Sequence, residues 1–258
     1  MIARKNIALW SHPRSMSTSV ERSFRERGDC LCHHEPFMYF YYLEKLGRPY
    51  PGFDPEDNRP RTLSDIADMV TSPPPDQTSH SHLFFKDMSY YIIDHLEALM
   101  PAMSELVSIF LIRDPRLSLA SYGKLDPDFS CDEGGLEAQW FHFDMLKKAG
   151  LSCLVIDAAS ISASPSSSIK MMCEFADIPF IEKALSWTAH DLPEDWQQAK
   201  AWHQSSINST GFAPADQRDP DDVFNAAAAD LPKLHDYLAH HQQFYQQLKN
   251  HAVKINTI

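Results

Sequence analysis

Residues 10–19, Trp10-Ser11-His12-Pro13-Arg14-Ser15-Met16-Ser17-Thr18-Ser19, decide how the rest of the chain is read. They follow a short apolar run, Ile7-Ala8-Leu9-Trp10, and precede a segment that reads as a helix from Ser17 to Arg27. A buried strand feeding a hydroxyl-rich loop and then a helix N-terminus is a geometry that holds phosphate. The first N–H groups of such a helix lack intrahelical partners, and the helix dipole favours an anion there. Arg14 adds a fixed positive charge with several donors. Ser15, Ser17, Thr18 and Ser19 add hydroxyls. The plainer reading is a capped helix after a turn, because Ser and Thr are ordinary N-caps. The stretch is not a nucleotide-kinase loop, which would need Gly at Ser11 and Met16 and Lys at Ser17.

Outward from this loop, Cys30–His34 reads as a second strand and Glu35 stands just past it, at the edge where open α/β sheets bind ligands. Its plain reading is a surface Glu before Pro36. Phe37–Tyr42, FMYFYY, reads either as core or as the wall of an apolar pocket. The stretch from Gly47 to Gln77 is rich in Pro, Asp and Arg, with Pro73-Pro74-Pro75 as a breaker. It predicts a mobile excursion, with a short helix near Leu63–Val70 and the position of a lid. Leu83–Lys86 reads as a strand and Tyr90–Met100 as a helix. Leu106–Ile112 is apolar nearly throughout, as central parallel strands are. Arg113-Asp114-Pro115-Arg116 follows, with a helix starting near Arg116 and carrying Ser121. Arg113 can grip a phosphate bidentately while Ser121 donates a hydroxyl. Further on come a helix at Gly135–Ala149, a strand at Leu151–Ile156, a turn at Ser160–Ser168, a helix at Ile169–Ala176 and a last helix at Asp221–Asn250.

The two phosphate anchors resemble those of the sulfotransferases. Pro13-Arg14-Ser15-Met16-Ser17-Thr18 is similar to their 5′-phosphosulfate loop, with Met16 where the family carries Gly, so a positive φ there would strain the backbone. Arg113 and Ser121 are similar to their 3′-phosphate motif. The resemblance implies a three-layer α/β/α fold around a central parallel sheet, P-loop NTPase-like. It implies transfer of a sulfuryl group from 3′-phosphoadenosine 5′-phosphosulfate (PAPS), leaving 3′-phosphoadenosine 5′-phosphate (PAP), to a hydroxyl or amine of a small-molecule acceptor. By the same resemblance Pro13–Ser19 would cradle the phosphosulfate and Arg113 and Ser121 the 3′-phosphate. Glu35 would be the general base, its pKa raised at a dry rim. Met88 stands where cytosolic members carry a catalytic His. Lys86 remains beside it, to touch the transferring group or else to lie on the surface at a strand end. Ser205–Phe212 falls at the family's late cofactor loop without its usual Arg or Lys, leaving hydroxyl contacts from Ser209, Thr210 and Gly211. Two other classes fit less well: a P-loop phosphotransferase using ATP and Mg²⁺, and a nucleotide-binding module without catalysis.

At 258 residues, with 43% apolar and 22% charged residues, the chain suits one soluble α/β domain over 1–258, with residues 47–80 as an insertion or lid. The net charge of −12 makes nucleic acid and anionic membranes poor partners. No apolar run approaches the ~20 residues of a membrane span, and the N-terminus lacks the pattern of a secretory signal. Five cysteines without a framework read as reduced thiols in a cytoplasmic protein. Cys30, Cys32, His33 and His34 match no usual zinc spacing. His235, His240 and His241 do not align as a metal pair and read as solvated, so no metal is expected. No feature fixes an oligomeric state.

Overall fold

The computed structural model describes residues 3–48, 50–73, 81–191, 193–214 and 217–255. Five strands, β1 (Asn6–Ser11), β2 (Cys30–His34), β3 (His82–Met88), β4 (Val107–Ile112) and β5 (Cys153–Asp157), form one parallel sheet in the order β2-β3-β1-β4-β5. Apolar side chains leave both faces of the sheet in turn, with the period of two that a pleated strand imposes. On one face Ala8, Trp10, Phe85, Phe110 and Ile112 pack beneath the helices Leu96–Met103, Leu136–Lys148 and Leu234–His251. On the other, Ile7, Leu9, Phe84, Ile109 and Leu111 pack beneath Ser17–Glu26 and Pro165–Phe175. The chain therefore has the three-layer α/β/α architecture expected. Its strand order turns at β1, so the loops after β1, β3 and β4 open a crevice at the carboxyl edge.

Three expected elements differ, each for a local reason. Tyr90–Met100 is not one helix. It is two tight turns, Ser89–Tyr91 and Ile93–His95, followed by the α-helix Leu96–Met103. Tyr90, Tyr91 and Ile92 are all buried, which one face of a helix would not allow, and aromatic and β-branched residues in sequence are poor helix formers. Asp221–Asn250 is split into Pro220–Asp230 and Leu234–His251 because Pro232 keeps Leu231 out of the helical conformation. The turn at Ser160–Ser168 is helical apart from Ser164, which is non-helical before Pro165 and separates Ala158–Ala163 from Pro165–Phe175.

The helix expected near Leu63–Val70 is present as Leu63–Thr71, with the Thr62 hydroxyl accepting from the Asp65 N–H at 3.2 Å. The described part of the excursion is fastened to a late segment. Trp202 Nε1 donates to the Pro51 carbonyl at 2.9 Å, Tyr50 meets the Trp202 ring edge-on, and Arg59 pairs with Asp195 at 2.9 Å. Residues 49 and 74–80, including Pro74 and Pro75 of the breaker, lie outside the described residues.

Candidate active site

The crevice holds a cavity of about 580 Å³ whose wall includes Pro13, Arg14, Met16–Ser19, Glu35, Lys86 and Arg113. Met16 has φ 72° and Arg14 φ 62°, so the loop adopts the left-handed backbone that Gly supplies elsewhere. A side chain in that region costs about 1–2 kcal/mol. Met16 is nonetheless packed, with the Ser162 hydroxyl donating to its sulfur at 3.3 Å. Ser17, Thr18 and Ser19 face the cavity, Thr18 beside His203 Nδ1 at 3.4 Å and Ser19 beside the Ser206 hydroxyl at 3.2 Å. Ser15 does not face it. Its buried hydroxyl has no hydrogen-bond partner among the described residues.

The two groups of residues read as phosphate anchors touch. Arg14 Nε donates to the Ser121 hydroxyl at 3.0 Å and Nη1 to the Trp202 carbonyl at 2.8 Å, while Arg113 Nη1 donates to the Arg14 carbonyl at 2.8 Å. Ser121 thus sits behind Arg14 rather than on the cavity wall. Among the described residues no carboxylate pairs with Arg14. Burial, then the neighbouring Arg113, lowers the Arg14 pKa. Two guanidiniums held this close, one of them without a carboxylate, make an electrostatic demand for an anion.

His12, absent from the sequence reading, joins these anchors from below. Its Nε2 accepts from the Arg113 N–H at 3.0 Å, which fixes the end of β4 to the end of β1. Burial first, then the fields of His241 and Arg113, pushes its pKa down to about 3. His142, buried edge-on to Trp10, is also pushed to about 3 by burial. Both are neutral in the fold and ordinary imidazoles when unfolded, so the unfolded state takes up protons first and stability falls as pH drops below about 6.5. Going from pH 7 to pH 5 is expected to remove about 2 kcal/mol per histidine. Urea midpoints measured at both pH values check this, and a midpoint unchanged at pH 5 would contradict it.

Glu35 and Lys86 meet because β2 and β3 are neighbours, with His34 paired in register to Lys86 and the Glu35 N–H donating to the Lys86 carbonyl at 2.9 Å. Lys86 is buried, not a surface strand-end residue, and its Nζ forms an ion pair with Glu35 Oε1. Tyr91 donates to Glu35 Oε2 at 2.9 Å. Glu35 itself has φ 43°. Burial pushes its carboxyl upward, but Lys86, His34 and the bonds from Lys86 and Tyr91 outweigh burial and hold it below the usual carboxylate range. The expected rise toward neutrality is therefore reversed. A buried cation stands where an apolar rim was read. Behind this pair, His34 Nδ1 meets Glu21 Oε2 at 2.6 Å. Asp87, pushed up by burial and by Glu35, accepts from the Phe37 and Met88 N–H groups at 2.8 and 2.9 Å.

The aromatic stretch divides between core and site. Phe37, Tyr39, Tyr41 and Tyr42 all belong to the core cluster, and Tyr42 also reaches the cavity wall, where Tyr50, Tyr90, Tyr91, Tyr122 and Trp202 join it. The Tyr90-Tyr91 doublet just past Lys86-Asp87-Met88 was the signal in the sequence. Trp202 and Tyr122 carried none, since only folding brings them across.

Ser209, Thr210 and Gly211 do not line the cavity. The Ser209 hydroxyl accepts from Trp187 Nε1 at 3.2 Å, the Thr210 carbonyl accepts from the Trp187 N–H at 3.1 Å, and Gly211 bridges to Ser186. The late wall is formed instead by Ser205, Ser206, Ala213, Pro214, Gln217 and Arg218, so a cation comes from further along the chain. The histidines of the last helix also differ from expectation. His241 is buried with Nε2 at 2.7 Å from the Cys131 carbonyl, and His240 Nε2 lies 2.9 Å from Glu137. Ligand atoms of Cys131, His240 and His241 lie within 4.8 Å of one another, with the His241 nitrogen engaged by backbone.

A parallel sheet turning at β1, with two guanidiniums and a buried carboxylate–ammonium pair at its carboxyl edge, defines a P-loop-like α/β protein with an anion-seeking crevice. Residues 5–252 match the sulfotransferase domain model, and the chain belongs to that family. It is 30% identical over 209 residues to branched-chain-amino-acid aminotransferase-like protein 2 of Arabidopsis thaliana and 31% over 216 residues to protein 1 of that name. Each match covers 80% of this chain, which spans 36% of the length of those relatives. Among solved structures, the sulfotransferase domain from the curacin biosynthetic pathway aligns with a TM-score of 0.51 at 12% identity, covering 90% of this chain and 99% of that one. The sulfotransferase domain from the Synechococcus PCC 7002 olefin synthase aligns at 0.50 and 16%, covering 89% and 97%. These two share the fold. Among the described residues no helix is long and apolar enough to cross a membrane.

Proposed function

We propose that the protein transfers a sulfuryl group from 3′-phosphoadenosine 5′-phosphosulfate to a hydroxyl, or less readily an amine, of a small-molecule acceptor. The observation that carries this reading is the convergence of Arg14, Arg113 and the Ser17–Ser19 hydroxyls on one cavity that also contains the Glu35–Lys86 pair. These donors suit a ligand with phosphate at two positions. When bound, the donor supplies a sulfuryl group on a phosphate that leaves readily. Arg14, Ser17, Thr18 and the N–H groups of the loop would hold the phosphosulfate, and Arg113, with Ser121 behind, the 3′-phosphate. Arg218 at the rim adds a further donor.

Glu35, held ionised, takes the proton of the acceptor oxygen as that oxygen bonds to sulfur and the bond from sulfur to the phosphate oxygen breaks. Lys86 and Arg14 then face the charge that collects on the departing phosphate, as fixed donors do in phosphoryl transfer. As Lys86 turns toward that charge, Glu35 loses the cation that holds its pKa down, and burial makes it a better base at the moment it is needed. The proton passes afterwards to solvent. The intact buried Glu35–Lys86–Tyr91 arrangement favours an enzyme over a binding module. Ser17 in the place of a Walker Lys disfavours ATP chemistry.

Calorimetric titration with PAP, 5′-AMP and ATP tests the cofactor. PAP is expected to bind at least tenfold more tightly than 5′-AMP or ATP, and Arg113→Ala to weaken PAP alone by tenfold or more, about 1.4 kcal/mol per decade. Equal, weak binding of all three nucleotides would sink the reading.

A further inference from the structure

We infer that the acceptor is a cationic alcohol, one whose hydroxyl is carried on a short chain from a quaternary or fully substituted ammonium group. This rests on the sulfuryl-transfer reading for the role of the hydroxyl. The recognition of the cation stands on the cavity alone. The cavity wall also carries Tyr42, Tyr50, Tyr90, Tyr91, Tyr122 and Trp202, the last beside Arg14 through its carbonyl. The rings brace one another: Tyr42 against Tyr50 at 4.8 Å, Tyr90 against Tyr91 at 4.6 Å, and Trp202 against both Tyr50 and Tyr122 at 5.4 Å. Aromatic walls arranged around a small space attract a poorly hydrated cation through the ring quadrupoles, and this is how quaternary ammonium groups are held.

A neutral aromatic or aliphatic acceptor would find the same walls congenial, so the choice rests on a second feature, Glu133. This residue is 3% exposed. Its Oε1 accepts from the Tyr42 hydroxyl at 3.3 Å, and its Oε2 accepts from the Ser130 N–H and hydroxyl at 2.7 and 2.9 Å. Among the described residues it forms no ion pair with Lys, Arg or His. The Tyr42 hydroxyl also meets that of Tyr90 at 3.2 Å, so the carboxylate lies directly behind the tyrosine wall. A buried carboxylate with neutral donors but no counter-ion projects negative potential through that wall into the cavity. Arg14 and Arg113 project positive potential from the loop after β1 and the end of β4. The cavity thus carries charge of both signs, guanidiniums for an anionic ligand and Glu133 behind the tyrosines for a cation. Glu35 and Lys86 lie on the same wall, Glu35 accepting from Tyr91 at 2.9 Å, and the reacting hydroxyl would sit against them. The net charge of −12 steers cations toward the protein as well.

The test is equilibrium binding by calorimetry, with choline as the cationic alcohol and 3,3-dimethylbutan-1-ol as its neutral isostere, each titrated with and without PAP. Phenol serves as the neutral aromatic probe. Choline is expected to bind at least tenfold more tightly than the isostere and phenol, and Glu133→Gln to reduce that preference to threefold or less. Since the comparison of probes uses the wild-type protein, it decides the matter even where the variant folds poorly. Equal binding of choline and isostere, or tighter binding of phenol, overturns the inference. The arms without PAP separate this outcome from failure of the cofactor reading: loss of PAP binding with the choline preference intact refutes the donor and leaves the cation site standing.

Discussion

Glu35→Gln is expected to slow sulfuryl transfer by about a hundred- to ten-thousandfold, the range a positioned general base contributes. PAP affinity should be unchanged, because Glu35 faces Lys86 and Tyr91 rather than the guanidinium anchors. The amide cannot take the acceptor proton, and it also leaves the Lys86 ammonium buried without its carboxylate. Stability should therefore fall as well, by about 3–5 kcal/mol, the usual consequence of breaking a buried ion pair from one side. Glu35→Gln combined with Lys86→Met separates the two effects. Removing the stranded cation should restore much of the stability while the rate stays low. Steady-state turnover and urea unfolding on the same preparations measure both. A single variant that keeps its rate within a factor of ten of wild type would rule Glu35 out as the base. Because Lys86 and His34 hold the Glu35 carboxyl down, the acid limb of the rate profile should lie below the usual carboxylate range.

Glu21→Ala carries the second large effect, and it acts on the support of the site. Glu21 is fully buried on the first helix, yet it meets four nitrogens from three residues: His34 Nδ1 at 2.6 Å, Arg25 Nε and Nη2 at 2.9 and 2.8 Å, and Trp196 Nε1 at 2.8 Å. Burial alone would push its carboxyl up. His34 and Arg25 overcome that and hold it well below the ordinary range. Truncation to Ala strands an imidazole, an indole N–H and part of a guanidinium, so a loss of about 3–5 kcal/mol is expected in urea unfolding. Asp195 still pairs with Arg25 at 3.0 Å and softens one part of this. Glu21→Gln should lose less, since its carbonyl still accepts from Trp196. Since the folded carboxyl has the lower pKa, the stability Glu21 supplies is complete above the ordinary glutamate range and disappears as pH falls below it. A loss under about 1 kcal/mol for Glu21→Ala would mean that the network is not a support, a value typical of an exposed pair.

Much of this was readable from residue order. The five strands follow from apolar runs bounded by turn residues, and their parallel pairing follows from the helices between them. The loop Pro13–Ser19 and Arg113 at the end of β4 both reach the cavity wall, and Lys86 and Glu35 meet each other there. Where the reading fell short, the missing information was contact between distant segments. The late wall was placed at Ser209–Gly211, but Trp187 takes up the polar groups of Ser209 and Thr210, leaving Gln217 and Arg218 to reach the cavity. Nothing local marks that exchange. His241 looked solvated because it lies on a polar helix, but that helix turns it toward Gly134 and the Cys131 carbonyl.

By itself the sequence determined the class of fold and set Pro13–Ser19 and Arg113 at strand ends, because strand, turn and helix propensities are local, and it marked Met16 as the place where a positive φ would be strained. Tertiary structure alone decided the charge state of Glu35, the neutrality of His12 and the meeting of Tyr42, Tyr90, Tyr122 and Trp202 around Glu133. Those properties arise from burial and from the fields of groups far apart in the chain. A carboxylate on its own can be pushed up or down, and only the arrival of Lys86 from the neighbouring strand fixes the direction.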